Sequence, residues 1–326
     1  MLTKKENLME TIKGGNPDRF VNQYEFMDII MEVPIDPFCE PGKEMKTSWG
    51  VTFRWPEGQL GQFPVHDEEH KVLKDITEWK KYVKVPVIKT ADEDWAAAVA
   101  HAKAIDRKEQ FVTVFYNPGI FEMTHHLMGI DDALIAYSEE PEAMHELIDC
   151  LTEFELAFAK EIVNRVHPEA IFHHDDWGTQ RSSFMSPAMF DEFILPAYEQ
   201  IYGYYKDHGV ELIVHHCDSY AANLVPSMIK MGIDIWQGVM TTNNTPELIK
   251  KYGKQITFMG DIDSGVVDFP GWNKEIIARE VERACRNCGK LYFIPCLTQG
   301  LNLSSFPGVY EAVSEAIDKI NKEGLR

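Results

Sequence analysis

The chain has no apolar run long enough to cross a bilayer, and its first residues (Met-Leu-Thr-Lys-Lys-Glu-Asn) lack the hydrophobic stretch of a signal peptide. Positive charge is scarce. Against 52 Asp and Glu there are 32 Lys and Arg, a formal net charge of -20. That balance excludes nucleic acid and anionic membrane surfaces as partners. Cysteine is sparse too: six in 326 residues is no disulfide framework. In a reducing compartment such thiols are buried, metal-bound or reactive. No Gly-x-Gly-x-x-Gly follows a candidate strand, and there is no linker, repeat or low-complexity tract. The expectation is one cytoplasmic domain spanning residues 1–326.

What is present suits a large enzyme core, with 44% hydrophobic and 11% aromatic residues. Thr3 and Glu6 have capping-box spacing ahead of a short helix, and a first strand is expected over residues 21–26, carrying Glu25. Residues 33–70 form a proline-punctuated irregular insertion. Within it, residues 49–55 read as a strand of a hairpin, and Trp49, Phe53, Trp55 and Phe63 either cover the core or wall a pocket. From residue 94 onward, helices alternate with strands at 111–117, 170–176, 211–217, 233–237, 255–261 and 291–296. Apolar strands that end in polar residues and alternate with helices predict an α/β fold, here a (β/α)8 TIM barrel with at least seven visible strands. A doubly wound sheet is the alternative.

In such a barrel the chemistry sits at the carboxyl ends of the strands. Those ends collect Glu25, Asn117, residues 173–176, residues 215–218, Trp236, Gln237, Asp261, Asp263 and Cys296. His215 and Cys217, two residues apart, share one strand face, which makes half a zinc site. Cys296 from the last strand supplies the third ligand, with Glu25, Asp176 or water as the fourth. His216 and Asp218 are expected to support that site. His173, His174, His125 and His126 have either a packing role or a supporting one. The pair Cys285 and Cys288, on a helix end, reads as structural.

The motifs Asn-Pro-Asp-Arg at 16–19, Gly-Ile-Asp-Asp-Ala-Leu at 129–134, the segment 140–148, Asp-Asp-Trp-Gly-Thr-Gln at 175–180, the run 185–196 and Gly-Asp-Ile-Asp at 260–263 resemble the uroporphyrinogen decarboxylase superfamily. His-x-Cys followed by a distant Cys is similar to its zinc-dependent, corrinoid-linked methyltransferases. The resemblance covers nearly the whole chain. It implies a (β/α)8 fold, Zn2+, a separate corrinoid (cobalamin) protein as partner and a small-molecule methyl donor or acceptor; a homodimer is compatible with it. Asp218 stands where the family pattern has Gly. The arginine-rich first strand of the decarboxylases is missing, since no arginine follows Arg19 before residue 54, which argues against true uroporphyrinogen decarboxylation.

Within the resemblance, O-demethylation of a methoxylated aromatic is preferred. Asn117, Trp177, Trp236, Gln237 and Asp261 are then the substrate contacts, and Asp175 or Asp176 handles the proton of a phenol leaving group. The alternatives are methyl transfer from a methylcorrinoid to a thiol of the coenzyme M type, a decarboxylase-type lyase, and a non-catalytic metal- or corrinoid-binding role.

Overall fold

The computed structural model describes residues 1–325. Seven parallel strands make the main sheet: β1 (Met27–Ile30), β5 (Phe111–Tyr116), β6 (Ala170–His174), β7 (Leu212–His216), β8 (Ile235–Val239), β9 (Thr257–Ile262) and β10 (Phe293–Leu297), in that spatial order. Between β1 and β5, a small antiparallel sheet of β2 (Glu44–Lys46), β3 (Thr52–Arg54) and β4 (Phe63–Pro64) occupies the irregular insertion. Helices cross over between successive strands of the main sheet, as parallel pairing requires.

The sheet curls. Phe111, Phe115, Ala170, Phe172, Leu212, Val214, Ile235, Met259, Ile294 and Cys296, drawn from six strands, pack in one cluster with Phe26 and Met27. The alternate residues, among them Val112, Val114, Ile171, Ile213 and Trp236, pack outward against the helices. Both faces are therefore apolar, which is why these strands read as continuous hydrophobic runs.

Seven strands stand where eight were expected. Residues 21–26 precede β1 instead of forming a strand. Gln23, at φ 47, turns its side chain into the gap between the sheet edges. Its amide donates to Tyr310 O and Ser314 Oγ, and its carbonyl accepts from Leu297 N at 3.4 Å. Side-chain hydrogen bonds thus replace a ladder between β10 and β1.

Helix boundaries follow ordinary capping chemistry. The Thr3 capping box starts Lys4–Lys13, and Ser186 caps Pro187–Phe193 through Met189 N. The run opened by Ser186 and Pro187 is two helices, Pro187–Phe193 and Leu195–Asp207, because Pro196 cannot supply the N–H that one continuous helix needs.

Candidate functional site

β6 and β7 pair in register with His174 opposite His216, and β7 sets His216 opposite Gln237 of β8. All three side chains point to the concave side, in one row across three strands. The imidazoles of His174 and His216 stack at 4.5 Å. Asp176, one pleat beyond His174, joins them, and ligand-capable atoms of His174, Asp176 and His216 all lie within 4.8 Å of one another.

Each member is oriented by a partner. His174 Nδ1 meets Glu122 Oε2 at 2.9 Å, His216 Nδ1 meets Gln237 Oε1, and Asp218 N donates to Asp176 Oδ1 at 2.8 Å. An Nδ1 engaged by a carboxylate or amide oxygen leaves Nε2 as the free electron pair of the ring. Metal-ligating histidines are commonly held in this way. Two nitrogens and a carboxylate oxygen also suit zinc's preferences. The donor set fits the metal.

The same partners set the charges, and a metal would have to displace the proton they favour on His174. Burial opposes the His174 cation, but the Glu122 carboxylate outweighs it and carries its pKa up to about 10. Burial, and then the neighbouring His174, push His216 down to about 4. Two stacked imidazoles do not both charge. Burial and the facing Asp176 hold Asp218 well above the usual carboxylate range.

Above this floor opens a cavity of ≈ 950 Å³. Its walls include Trp49, Phe53, Trp55 and Phe63 of the insertion, together with Phe115 and Phe172 of the sheet. Thus the four insertion aromatics do line a pocket. Asn117, His125, His126 and Glu122 line it as well.

Several expected site residues lie elsewhere. His215 and Cys217 face the helix layer. The His215 ring stacks on Trp177 at 4.1 Å and its Nδ1 bonds Tyr202 Oη at 2.7 Å, while Cys217 Sγ contacts Ser219 Oγ at 2.9 Å. Cys296 belongs to the opposite, concave face of the sheet, packed with the inner apolar cluster. The pleat separates the three residues, so His215, Cys217 and Cys296 do not form one site. Strand alternation was right; the choice of face was not.

Glu25 lies before β1, at the amino-terminal end of the sheet, beside Arg19 at 3.8 Å. That is the far end from the cavity. Trp177 and Trp236 are buried among helices, their indole N–H groups donating to Asp175 Oδ2 and Cys217 O. Asp261, at φ 61, faces outward and accepts from Thr245 Oγ1 at 2.6 Å and Arg283 Nη1 at 2.9 Å. Asp175 is fully buried and accepts from Phe121 N, Glu122 N, Trp177 Nε1 and Tyr198 Oη. It holds the start of the helix Ile120–Met128, and through it Glu122, so it is a positioning residue.

Gln237 stays with the site, through His216 and not as a cavity wall. Gly238 takes the bulge that follows: at φ 96, a Cβ there would stand 2.8 Å from Cys217 O. Cys285 is buried in the helix-side core and Cys288 Sγ lies 3.9 Å from Asp261 Oδ2, which is a structural setting.

Glu122 is the site residue that sequence reasoning missed. Its signal was an acid in the first turn of the helix that follows the end of β5, the position from which a side chain reaches the carboxyl face of the sheet.

A parallel α/β sheet with a polar, metal-competent floor at its carboxyl ends and an aromatic-walled cavity above defines a class of enzyme-like architecture. Within that class the chain belongs to the uroporphyrinogen decarboxylase (URO-D) family, whose model matches residues 47–320. The fold is similar to that of a methyltransferase from Methanosarcina mazei, with a TM-score of 0.69 and 14% identity, covering 98% of this chain and 99% of that one. A more distant likeness, with a TM-score of 0.43 and 15% identity, is to a B12-independent methionine synthase from Shewanella sp. W3-18-1, covering 74% of this chain and 69% of that one. No curated protein matches the sequence. No helix is long and apolar enough to cross a membrane among the described residues.

Proposed function

We propose that this chain is a zinc-dependent methyltransferase that takes the methyl group of a methoxylated aromatic and passes it to the cobalt of a separate corrinoid protein. One observation carries the reading: two imidazoles and a carboxylate converge on the floor of an aromatic-walled cavity. His174, Asp176 and His216 would hold the metal, in place of the His215, Cys217 and Cys296 set. Bound there, zinc supplies Lewis acidity toward an ether oxygen.

The chain's own residues do the rest. Glu122 and Gln237 fix the two imidazoles, and Asp218 N fixes Asp176. The aromatic walls hold the ring and keep water from it. In the transfer the O–CH3 bond breaks with its electron pair left on oxygen, and the methyl bonds to the electron-rich reduced cobalt. Of the two aspartates considered for the phenolate proton, Asp175 does not line the cavity, and Asp176 lines it but is taken up by the metal in this reading.

Fold and family allow a decarboxylase as well. A polycarboxylate substrate finds little to hold it here, since Lys89 is the one lysine or arginine among the described residues that line the cavity.

Metal analysis tests the site. About one zinc per chain is expected in the wild type, lost in His174→Ala and His216→Ala and kept in Cys217→Ala and Cys296→Ser. The reverse pattern would restore the thiolate site. Mixing the protein with a reduced corrinoid protein and methoxyarenes should produce the absorbance of methylcobalt. Demethylation of methylcobalt by a thiol, with no ether active, would instead show the opposite direction of transfer.

A further inference from the structure

The cavity above the His174–Asp176–His216 floor is short of positive charge. Among the described residues, Glu32, Asp36, Glu122 and Asp176 line it, against the exposed Lys89 and the His174 imidazole that Glu122 holds. A ligand carboxylate entering this space would lose its water and find no guanidinium or ammonium at depth among the described residues, while Asp176 and Glu122 already answer a dication held on the floor. The walls, by contrast, are suited to a flat uncharged ring: Trp49, Phe53, Phe115, Phe154 and Phe172 all contribute.

One fully buried polar side-chain atom in this lining has no partner among the described residues. His126 is 8% exposed and its Nδ1 has no hydrogen-bond partner within the protein. Among the described residues that line the cavity, it is the only one with such a buried, unpaired side-chain atom. Its ring stands edge-on to Phe53 at 5.2 Å and to His125 at 4.8 Å, so it is packed in place among the wall residues. A buried nitrogen without a partner is costly; Nδ1 itself is shut off from the cavity, so a ligand hydroxyl relieves that cost once the imidazole turns over in its slot.

We propose that this pocket selects methoxyarenes carrying no anionic group, and that His126 Nδ1 hydrogen-bonds an uncharged hydroxyl on their ring. This rests on the methoxyarene reading above and narrows it.

Calorimetric binding at about pH 7, with the protein carrying its metal, tests the proposal without requiring turnover. Guaiacol should bind at least about tenfold more tightly than vanillate, and methyl vanillate should bind like guaiacol. Equal affinity for guaiacol and vanillate would overturn charge selection. So would rejection of the ester as strong as that of the acid, because size would then be the cause.

Gln299→Arg, at an exposed lining position, should raise vanillate affinity by about tenfold, and no gain would count against the charge argument. His126→Phe keeps a ring but removes the nitrogen. It should cost guaiacol about five- to tenfold and leave anisole unchanged. An equal loss for both ligands would overturn the His126 assignment. Failure of all four aromatics to bind the wild type would instead sink the methoxyarene reading itself, a separate result.

Discussion

Asp175 shows how one residue joins stability to the site. Its carboxylate receives four donors at 2.6 to 3.0 Å, two of them first-turn amides of the helix Ile120–Met128, those of Phe121 and Glu122. Those amides have no intrahelical acceptor, and a negative charge at a helix start is favourable. Asp175→Ala would leave four buried donors unpaired and should cost about 3–5 kcal/mol, read as a lower midpoint in urea denaturation. Asp175→Asn keeps one acceptor oxygen and should cost roughly 1–3 kcal/mol. If Asp175→Ala kept wild-type stability, these donors would have found other partners and the positioning role would fall.

The same scale explains why the candidate metal-binding floor was only half legible. Two-residue alternation placed His215 and Cys217 on a shared face, as the structure has them. Nothing nearby says which face, because Leu212, Ile213 and Val214 are all apolar and all buried. In a sheet covered on both sides the polarity pattern that normally marks inside from outside is gone. His216 and His174 were therefore visible as residues but not as partners. Only their pairing across β6 and β7 brings them together.

At the scale of elements, strands with long apolar runs were legible and the first one was not. The runs at 111–117 and 170–176 appear as Phe111–Tyr116 and Ala170–His174, each slightly shorter because its last polar residues leave the ladder. The segment 21–26 has strand-like apolar spacing, but Gln23 at φ 47 breaks the extended chain, and the strand starts at Met27.

That strand is short, and a helix clamps it. His101 of the helix Asp92–Ala104 bonds Asp28 Oδ1 at 3.0 Å and Glu32 Oε2 at 3.1 Å. Burial lowers the His101 pKa, but the hydrogen bonds it donates to Glu32 and Asp28 outweigh it, and the net shift is upward. A folded pKa above the unfolded value, about 6.5 for histidine, makes the stabilisation fully present below that value. It is lost as pH rises through the folded pKa. The gap in melting temperature between wild type and His101→Gln should be widest near pH 6 and narrow as pH climbs towards 9. A gap independent of pH would show that charge has no part in the clamp.

Over the whole molecule, two electrostatic effects oppose each other. The net charge of -20 makes the compact state repel itself. Ion pairs oppose this, yet many are exposed and local, such as Lys43–Glu40, Lys81–Glu78 and Lys250–Glu247. Each exposed pair is worth about 0–1 kcal/mol and is itself weakened by salt. Repulsion acts over longer distances, so it is the term that salt relieves most as the Debye length falls from about 30 Å at 0.01 M to about 10 Å at 0.1 M. Sodium chloride added over that range should therefore raise the melting temperature of the metal-free protein. The same field draws cations to the acidic cavity, so the apparent affinity for zinc should fall as salt rises. A melting temperature that drops with salt would show that the ion pairs, and not the net charge, dominate. In that case the attraction of the metal to the cavity would have to come from His174, Asp176 and His216 themselves.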